Sequence, residues 1–265
     1  MLDPYSLSLA VALAGFWLLW PISVWRKDAS IVDFWWAPGF VAIAWVVWAV
    51  HGAPLTGTVA LTLALVSVWG LRLGYTLGLR RIREGVEDAR YTEMREARDP
   101  GFWWKSFFIV FTLQPVIQFI LATLIVAAVT TSGSLGPVAM IGAAIALIGV
   151  LIEARSDWEL DKFRADTPHG GLLTTGLRSY VRYPSYSGEI LFWVGLALVA
   201  IQAGIWWAPA NALLVTLMLL RLSGVAMLDD RLKRTRPDFD RYRETVPALW
   251  PRIGGAPRDN TSWLP

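Results

Sequence analysis

Seven long apolar runs dominate the sequence and limit the folds that it can adopt. Each run has about the 20 residues that an α-helix, rising 1.5 Å per residue, needs to cross a hydrocarbon layer of roughly 30 Å. The runs extend approximately from Tyr5 to Trp25, Ile31 to His51, Thr56 to Leu79, Trp104 to Thr130, Pro137 to Glu153, Gly188 to Trp206 and Pro209 to Leu228. We therefore predict an all-α polytopic integral membrane protein with seven transmembrane helices, formed as a single domain over residues 1–265.

The composition excludes most other classes of protein. The chain is 55% hydrophobic and 17% charged, whereas soluble domains are usually about 45–50% apolar and about 25% charged. The chain has no cysteine, which excludes disulfide frameworks, thiolate metal sites and cysteine nucleophiles. The only two histidines, His51 and His169, lie on opposite sides of the predicted membrane, so no protein-built metal site is expected. A formal charge of +3 does not indicate a nucleic-acid binder, and no obligate protein partner is evident.

Charged residues collect on one side of the predicted membrane. The connections 51–55, 131–136 and 206–207 contain no Lys, Arg, Asp or Glu. The basic residues lie in the turn 26–28, in the long loops, in the C-terminal tail or in helix halves that face these segments, and Asp3 is the only acidic residue that does not. The positive-inside rule therefore predicts an N-terminus outside and a C-terminus in the cytoplasm.

This asymmetry bears on function. A transporter or channel usually needs polar pathways that reach both faces of the membrane, and the predicted outer face is nearly bare of charge. Polar chemistry on the cytoplasmic side alone predicts that a charged, water-soluble cosubstrate binds from the cytoplasm. An apolar substrate would then enter from the lipid, and membrane lipid is the other expected partner.

Several ionisable residues lie in or beside the apolar runs: Asp33, Arg72, Glu153, Arg155, Glu189 and Arg221. A charge within a membrane span is costly and by default indicates function. Two simpler interpretations stay open. Asp33 and Arg155 are close enough to span ends to cap a helix or to reach the interface, and Arg72 could form a structural ion pair with Glu189 or Asp33. Gly70, Gly74 and Gly78 form a stripe of small residues that predicts close helix packing.

The predicted cytoplasmic loops, mainly residues 80–105, 154–187 and 229–253, contain most of the chemically useful side chains. Residues 84–91 place acids and bases beside Tyr91, and Glu153, Asp157 and Asp161 share one face of a helix. Taken alone, each stretch is consistent with a solvated face beside the membrane. Together they supply arginines for phosphates, carboxylates for ribose hydroxyls, and tyrosines for stacking or proton donation.

Three segments resemble the bacterial members of the steroid 5α-reductase family. They are Arg72 within residues 69–73, the segment 87–91, and the run 182–189 that follows Gly176-Leu177. The most specific motif, an aromatic residue and Pro followed by Tyr and Gly-Glu before an apolar span, identifies a superfamily but not one reaction. Isoprenylcysteine carboxyl methyltransferases share a similar pattern.

The resemblance implies an enzyme of the bacterial inner membrane that binds NADPH from the cytoplasmic side. It would reduce the C=C bond of a 3-oxo-Δ4 steroid or a similar enone. Tyr91 and a protonated Asp33 are the expected donors to the substrate carbonyl oxygen, and Glu189 is the third expected catalytic residue. The expected cofactor contacts are Arg72, Arg90, Glu153, Asp157, Arg164, Tyr180, Arg182, Ser185, Tyr186, Glu189 and Asp229, with Arg178 as a further phosphate ligand.

The sequence also departs from the family pattern. Ser185 stands where the family usually has Asn, and a serine hydroxyl reaches less far than an amide. Tyr183 stands where bacterial relatives often have His, and the Gln-Glu pair of the mammalian enzymes has no clear counterpart. Two alternative functions remain: a membrane methyltransferase that uses S-adenosylmethionine, and a non-enzymatic membrane protein that binds lipid.

Overall fold

The structure, a computed structural model, describes residues 2–51, 54–55, 57–167, 171–221 and 224–252. Within these residues the chain is helical and contains no β-strand. The α-helices are α1 (Pro4–Arg26), α2 (Val32–His51), α3 (Gly57–Glu84), α4 (Ala89–Glu96), α5 (Phe102–Ile109), α6 (Leu113–Thr130), α7 (Pro137–Asp166), α8 (Pro184–Gln202), α9 (Ala208–Arg221), α10 (Val225–Thr235) and α11 (Phe239–Thr245). The predicted all-α class is therefore confirmed for the described part of the chain.

Seven segments of the described chain are long and apolar enough to cross a membrane. They are Pro4–Arg26, Ala29–His51, Gly57–Arg83, Phe102–Thr130, Pro137–Asp166, Pro184–Gln202 and Ala208–Thr235. The prediction of seven membrane-spanning helices is confirmed by this length and composition, and the protein is an integral membrane protein by the same criterion. The side of the membrane on which each terminus lies stays a prediction.

The fourth predicted span is two helices, α5 and α6, separated by a turn at residues 110–112. Pro115, in the first turn of α6, explains the interruption. Proline has no N–H to donate, and in a continuous helix its ring would clash with the carbonyl of Phe111, four residues earlier. Phe111 is fully buried, so the turn is packed into the protein and does not face solvent.

The helices form two compact units. Unit 1 is Met1–Met140 with Leu198–Ala208, and unit 2 is Ile141–Ala197 with Pro209–Pro265. A single domain over residues 1–265 stays a prediction. Each unit has its own core and its own polar cluster.

Close packing of α2 and α3 organises unit 1. A Cβ atom on Gly70 would lie 2.8 Å from the Ala37 carbonyl oxygen, and one on Gly74 would lie 2.7 Å from Pro38 Cδ. These two glycines therefore allow the backbones to approach, as the stripe of small residues predicts. Gly78 is not part of this contact, because a Cβ there would meet nothing within 4 Å.

Two features organise unit 2. In the first, α7 and α8 approach closely: a Cβ on Gly188 would lie 2.9 Å from the Glu153 backbone nitrogen. In the second, the tail segment, residues 246–249, runs beside the residues that precede and begin α8. Arg182 N donates to Pro247 O at 2.8 Å, and Tyr183 N donates to Ala248 O at 3.0 Å.

Candidate functional site

Unit 1 contains a cluster of four polar side chains, Asp33, Arg90, Tyr91 and Gln114, which we call the Asp33 cluster. The Tyr91 hydroxyl donates to Asp33 Oδ1 at 2.7 Å, and Arg90 Nη2 donates to Asp33 Oδ2 at 2.6 Å. Gln114 Nε2 donates to the Tyr91 hydroxyl oxygen at 3.1 Å. The cluster joins the first turn of α2, the short helix α4 and the first turn of α6.

Local hydrogen bonds fix α4 against the start of α2. Asp88 caps α4, and its Oδ1 accepts from both the backbone N–H and Nε of Arg90, each at 2.9 Å. A side-chain cap of this kind is worth about 1 kcal/mol. Glu87 accepts from the Ala29 backbone N–H at 2.7 Å and from Arg95 Nη2 at 2.7 Å. These contacts place Tyr91 beside Asp33 although the two residues are far apart in the sequence.

The cluster runs from a partly exposed edge to a buried interior. The Arg90 side chain is 43% exposed and that of Asp33 is 26% exposed, whereas Tyr91 is only 5% exposed. The aromatic ring of Tyr91 belongs to an apolar core with Phe16, Val32 and Phe111. The phenol is thus held in a dry environment while its carboxylate partner stays within reach of solvent.

Electrostatics keep both Tyr91 and Arg90 protonated. Burial raises the pKa of Tyr91 well above its usual range, and the neighbouring Asp33 charge adds to the rise. Burial alone would lower the pKa of Arg90, but the charge of Asp33 and the hydrogen bond and charge of Asp88 together outweigh it, and the net pKa is raised. Tyr91 therefore keeps its proton near neutral pH and can act as a hydrogen-bond donor.

The structure brings together three residues that the sequence singled out. Tyr91 and Asp33, both predicted as catalytic, are directly bonded, and Arg90, predicted to contact a cofactor, lies on Asp33. Both Asp33 oxygens accept hydrogen bonds, which is the arrangement of a carboxylate, so its role as a protonated donor stays a prediction. Arg72, the other predicted residue of unit 1, lies half-buried on α3.

Gln114 was missed by the sequence analysis. A signal for it did exist, because Gln114 and Gln118 are amides spaced four residues apart inside an otherwise apolar run. At that spacing both side chains lie on one face of α6. Gln118 is fully buried and donates from Nε2 to the Trp36 carbonyl oxygen at 2.7 Å.

In unit 2, the predicted cofactor residues of α7 differ in exposure. Glu153 is 3% exposed and Asp157 is 7% exposed, whereas Arg164, further along the helix, is exposed. Between the two acids, Ser156 Oγ lies 2.8 Å from Ser185 Oγ, and Arg178 Nη1 donates to Ser156 Oγ at 3.2 Å. The predicted contact residue Ser185 is thus bonded to α7 itself.

Arg182 and Asp229 form a buried ion pair in unit 2. Arg182 Nη2 donates to Asp229 Oδ2 at 2.9 Å, and Arg182 Nη1 donates to the Val246 carbonyl oxygen at 2.6 Å. Asp229 Oδ1 accepts from the Tyr183 hydroxyl. Burial, followed by this carboxylate, raises the pKa of Tyr183. Arg182 and Asp229 were both predicted to contact a cofactor. In the structure they hold the tail segment, and their cofactor role stays a prediction.

The remaining predicted residues of unit 2 lie near the start of α8. Tyr180 is exposed, and the ring of Tyr186 lies 5.8 Å from that of Tyr183, centroid to centroid. Glu189 Oε1 accepts from Trp193 Nε1 at 3.1 Å, one helical turn away. Among the described residues no group of three or more His, Asp or Glu side chains could hold a metal ion. His169 lies outside the described residues.

Comparison with known proteins gives one match. The model of a family described as "Protein of unknown function (DUF1295)" matches residues 19–246, a stretch that includes the Asp33 cluster and every predicted site residue of unit 2. No curated protein and no solved structure shows significant similarity to the chain. Because the match covers most of the sequence, the chain belongs to the DUF1295 family.

Proposed function

We propose that the protein is a membrane-embedded, NADPH-dependent reductase of the C=C bond of a 3-oxo-Δ4 steroid or a related enone. The observation that supports this most directly is the 2.7 Å hydrogen bond between Tyr91 and Asp33 at the start of an apolar helix. A buried phenol that keeps its proton is suited to donate to a substrate carbonyl oxygen. The resemblance of residues 87–91 and 182–189 to the steroid 5α-reductase family supports the same activity.

The main requirement of the reaction is to stabilise the negative charge that develops on the carbonyl oxygen. NADPH, when bound, supplies a hydride to the β-carbon of the enone. The electrons of the double bond then move towards the carbonyl, whose oxygen becomes negative, and a proton added to the α-carbon completes the saturated ketone. One donor aimed at that oxygen in a dry site lowers the barrier by about 3 kcal/mol. Tyr91 is the residue to which we assign this role.

Asp33 would control the direction of the Tyr91 proton. As a carboxylate it accepts the phenolic hydrogen, which then points away from any substrate. As a carboxylic acid it could donate to the phenol oxygen and leave the Tyr91 hydrogen for the substrate carbonyl. Because the Asp33 side chain is 26% exposed, it could exchange its proton with solvent. Arg90 would hold the carboxyl group in place through Oδ2.

The donor set of unit 2 suits a dinucleotide in its chemistry. The carboxylates of Glu153 and Asp157 would accept hydrogen bonds from ribose hydroxyls, and Arg164 and Arg178 would bind phosphates. Tyr180 and Tyr186 offer aromatic faces. Arg182 is buried and bonded to Asp229 and Val246, whereas Arg164 is exposed and Arg178 is half-buried, so we assign the phosphates to Arg164 and Arg178.

We also propose that the enzyme lies in a bacterial inner membrane and that its active site opens to the cytoplasm. The support is the distribution of charge, because basic residues collect on one side of the predicted spans and the other side is nearly free of them. The apolar substrate would then enter from the lipid and the cofactor from the cytoplasm.

The decisive experiment is an activity assay on purified protein in detergent. We expect oxidation of NADPH only when an enone is added, with the saturated ketone identified by mass spectrometry. Tyr91→Phe serves as the variant with impaired chemistry. If no 3-oxo-Δ4 steroid and no simpler enone stimulates NADPH oxidation, the proposal is wrong.

A binding measurement separates the alternatives. A ligand at a hundredfold excess over its dissociation constant stabilises the folded state by about 2.7 kcal/mol, which raises the unfolding temperature. We expect NADPH to produce this shift. A shift with S-adenosylmethionine instead would indicate a methyltransferase, and no shift with either compound would favour a lipid-binding protein.

A further inference from the structure

The side chain of Gln114 has one polar atom that the protein does not use. Its Nε2 donates to the Tyr91 hydroxyl oxygen at 3.1 Å. Its Oε1 is buried and has no hydrogen-bond partner in the described part of the protein. A buried carbonyl oxygen without a partner is rare and costly in a folded protein, and more so within a span where lipid offers no donor. This atom therefore needs an explanation.

The hydrogen bonds around Tyr91 fix the direction of the Gln114 amide. The single proton of the Tyr91 hydroxyl goes to Asp33 Oδ1, so the phenol oxygen can only accept from Gln114. Only the NH2 group of a glutamine can donate. The amide cannot be flipped without losing this bond, and Oε1 is left as a spare acceptor close to the Tyr91 hydroxyl.

Gln118, in the same helix, also has a buried Oε1 without a hydrogen-bond partner in the described part of the protein, but the rest of its environment is structural. It lies one turn beyond Gln114, is fully buried, and donates to the Trp36 carbonyl oxygen at 2.7 Å. Its amide fills the space that a Cβ atom on Gly39 would need, since that Cβ would lie 2.5 to 3.0 Å from the amide atoms. Gln118 therefore joins α2 to α6. Gln114 is only half-buried and bonds to the proposed reactive residue.

We propose that Gln114 Oε1 determines specificity by accepting a hydrogen bond from a hydroxyl or N–H group of the substrate. Because Oε1 and Nε2 share one carbon atom and Nε2 is bonded to Tyr91, the substrate's donor lies about one ring width from the carbonyl that Tyr91 binds. The inference rests on the proposed reductase function and adds to it the substrate class: an apolar enone that also has a hydrogen-bond donor near its carbonyl.

A pair of matched substrates tests this inference. The probes are cyclohex-2-enone and its 4-hydroxy derivative, each with the same alkyl chain, and the readout is the ratio of their kcat/KM values. We expect wild-type protein to prefer the hydroxylated enone by about tenfold or more, because a site built for a hydroxyl rejects an analogue that lacks it. Gln114→Met should reduce this ratio to near one. Gln118→Met is the matched control and should keep the wild-type ratio.

The ratio of the two kcat/KM values reports on the acceptor oxygen, Gln114 Oε1, alone. Gln114→Met also removes the bond to Tyr91, but that loss slows both substrates alike and cancels in the comparison. Gln114→Glu, which keeps an acceptor oxygen, should retain a preference for the hydroxylated probe and provides a second variant if Gln114→Met does not fold. Equal rates for the two enones in the wild type would overturn the inference and would indicate that a trapped water pairs with Oε1.

A binding measurement tests the inference independently of the proposed reductase activity. The two saturated ketones that correspond to the probes cannot be reduced at a C=C bond, so their thermal shifts report binding alone. A larger shift with the hydroxylated ketone that Gln114→Met abolishes supports the inference even if no enone is reduced. Equal shifts in wild type and variant would refute it even if the enones are reduced.

Discussion

Arg182 and Asp229 lie 2.9 Å apart, Nη2 to Oδ2, with side chains only 7% and 9% exposed. The same guanidinium donates to the Val246 carbonyl oxygen, and the same carboxylate accepts from Tyr183. One buried pair therefore joins α10, the start of α8 and the tail segment. Asp229 has a second cationic neighbour, Arg243 Nε at 3.4 Å from Oδ2, whereas removing Asp229 leaves the Arg182 guanidinium buried without a carboxylate partner.

We expect Asp229→Ala to destabilise the protein by about 3 kcal/mol, the usual effect of breaking a buried ion pair from one side. The unfolding midpoint in detergent measures this loss. Lys233→Ala is the control, because Lys233 and Asp240 lie 3.8 Å apart and both are more than half exposed. It should change stability by no more than about 0.5 kcal/mol. Equal midpoints for the two variants would contradict a structural role for Asp229.

Tyr91→Phe tests the proposed chemistry while preserving the ring in its apolar core. Loss of a hydrogen-bond donor to the carbonyl oxygen should reduce kcat by about a hundredfold or more. Binding of NADPH, followed by thermal shift, should be unchanged, because Tyr91 is not among the residues assigned to the cofactor and the change removes only its hydroxyl. A variant with wild-type kcat would show that Tyr91 does not polarise the substrate.

Three buried tyrosines should make the protein sensitive to alkali. Burial raises the pKa values of Tyr91, Tyr183 and Tyr242 above their ordinary value near 10. The unfolded chain therefore loses these phenolic protons first as the pH rises. The stabilising effect is complete below about pH 10 and is lost progressively above it.

Tyr242→Phe isolates one part of this effect. At neutral pH the variant should lose about 1 kcal/mol, because the Tyr242 hydroxyl donates to the Arg178 carbonyl oxygen at 2.6 Å. Above pH 10 its unfolding midpoint should fall less steeply with pH than that of the wild type. Tyr180→Phe, at an exposed position, should follow the wild-type curve. If the unfolding midpoints of the wild type and both variants fall equally with pH, Tyr242 does not contribute to the sensitivity to alkali.

The sequence predicted the features that depend on local pattern. The apolar runs gave the seven spans because burial in a hydrocarbon layer needs continuous apolar length. The resemblance to the steroid 5α-reductase family pointed to Tyr91 and Asp33 as the two expected donors, but it did not predict that they bond to each other. The interruption at residues 110–112 has a local signal in Pro115, but Pro21 and Pro38 lie inside α1 and α2 without ending them, so the signal alone does not predict a break.

What the sequence could not predict is which polar groups meet. An arginine in a polar motif has the same local pattern whether it binds a phosphate or the chain itself. Arg182 contacts Asp229 and Val246, both far along the chain, and no local periodicity encodes these contacts. Gln114 is a similar case, because its partner Tyr91 is on another helix.

Two glycines test how closely the helices of each unit pack. Gly188→Ala should destabilise the protein by about 1 to 3 kcal/mol, because the new Cβ would lie 2.9 Å from the Glu153 backbone nitrogen and a backbone cannot move aside cheaply. Gly78→Ala should be neutral or stabilising by up to about 1 kcal/mol, because its Cβ meets nothing within 4 Å and alanine favours a helix. Both changes add one methyl group within a helix, so unfolding midpoints compare them directly. If Gly188→Ala unfolds at the wild-type temperature, α7 and α8 do not pack as closely as the structure places them.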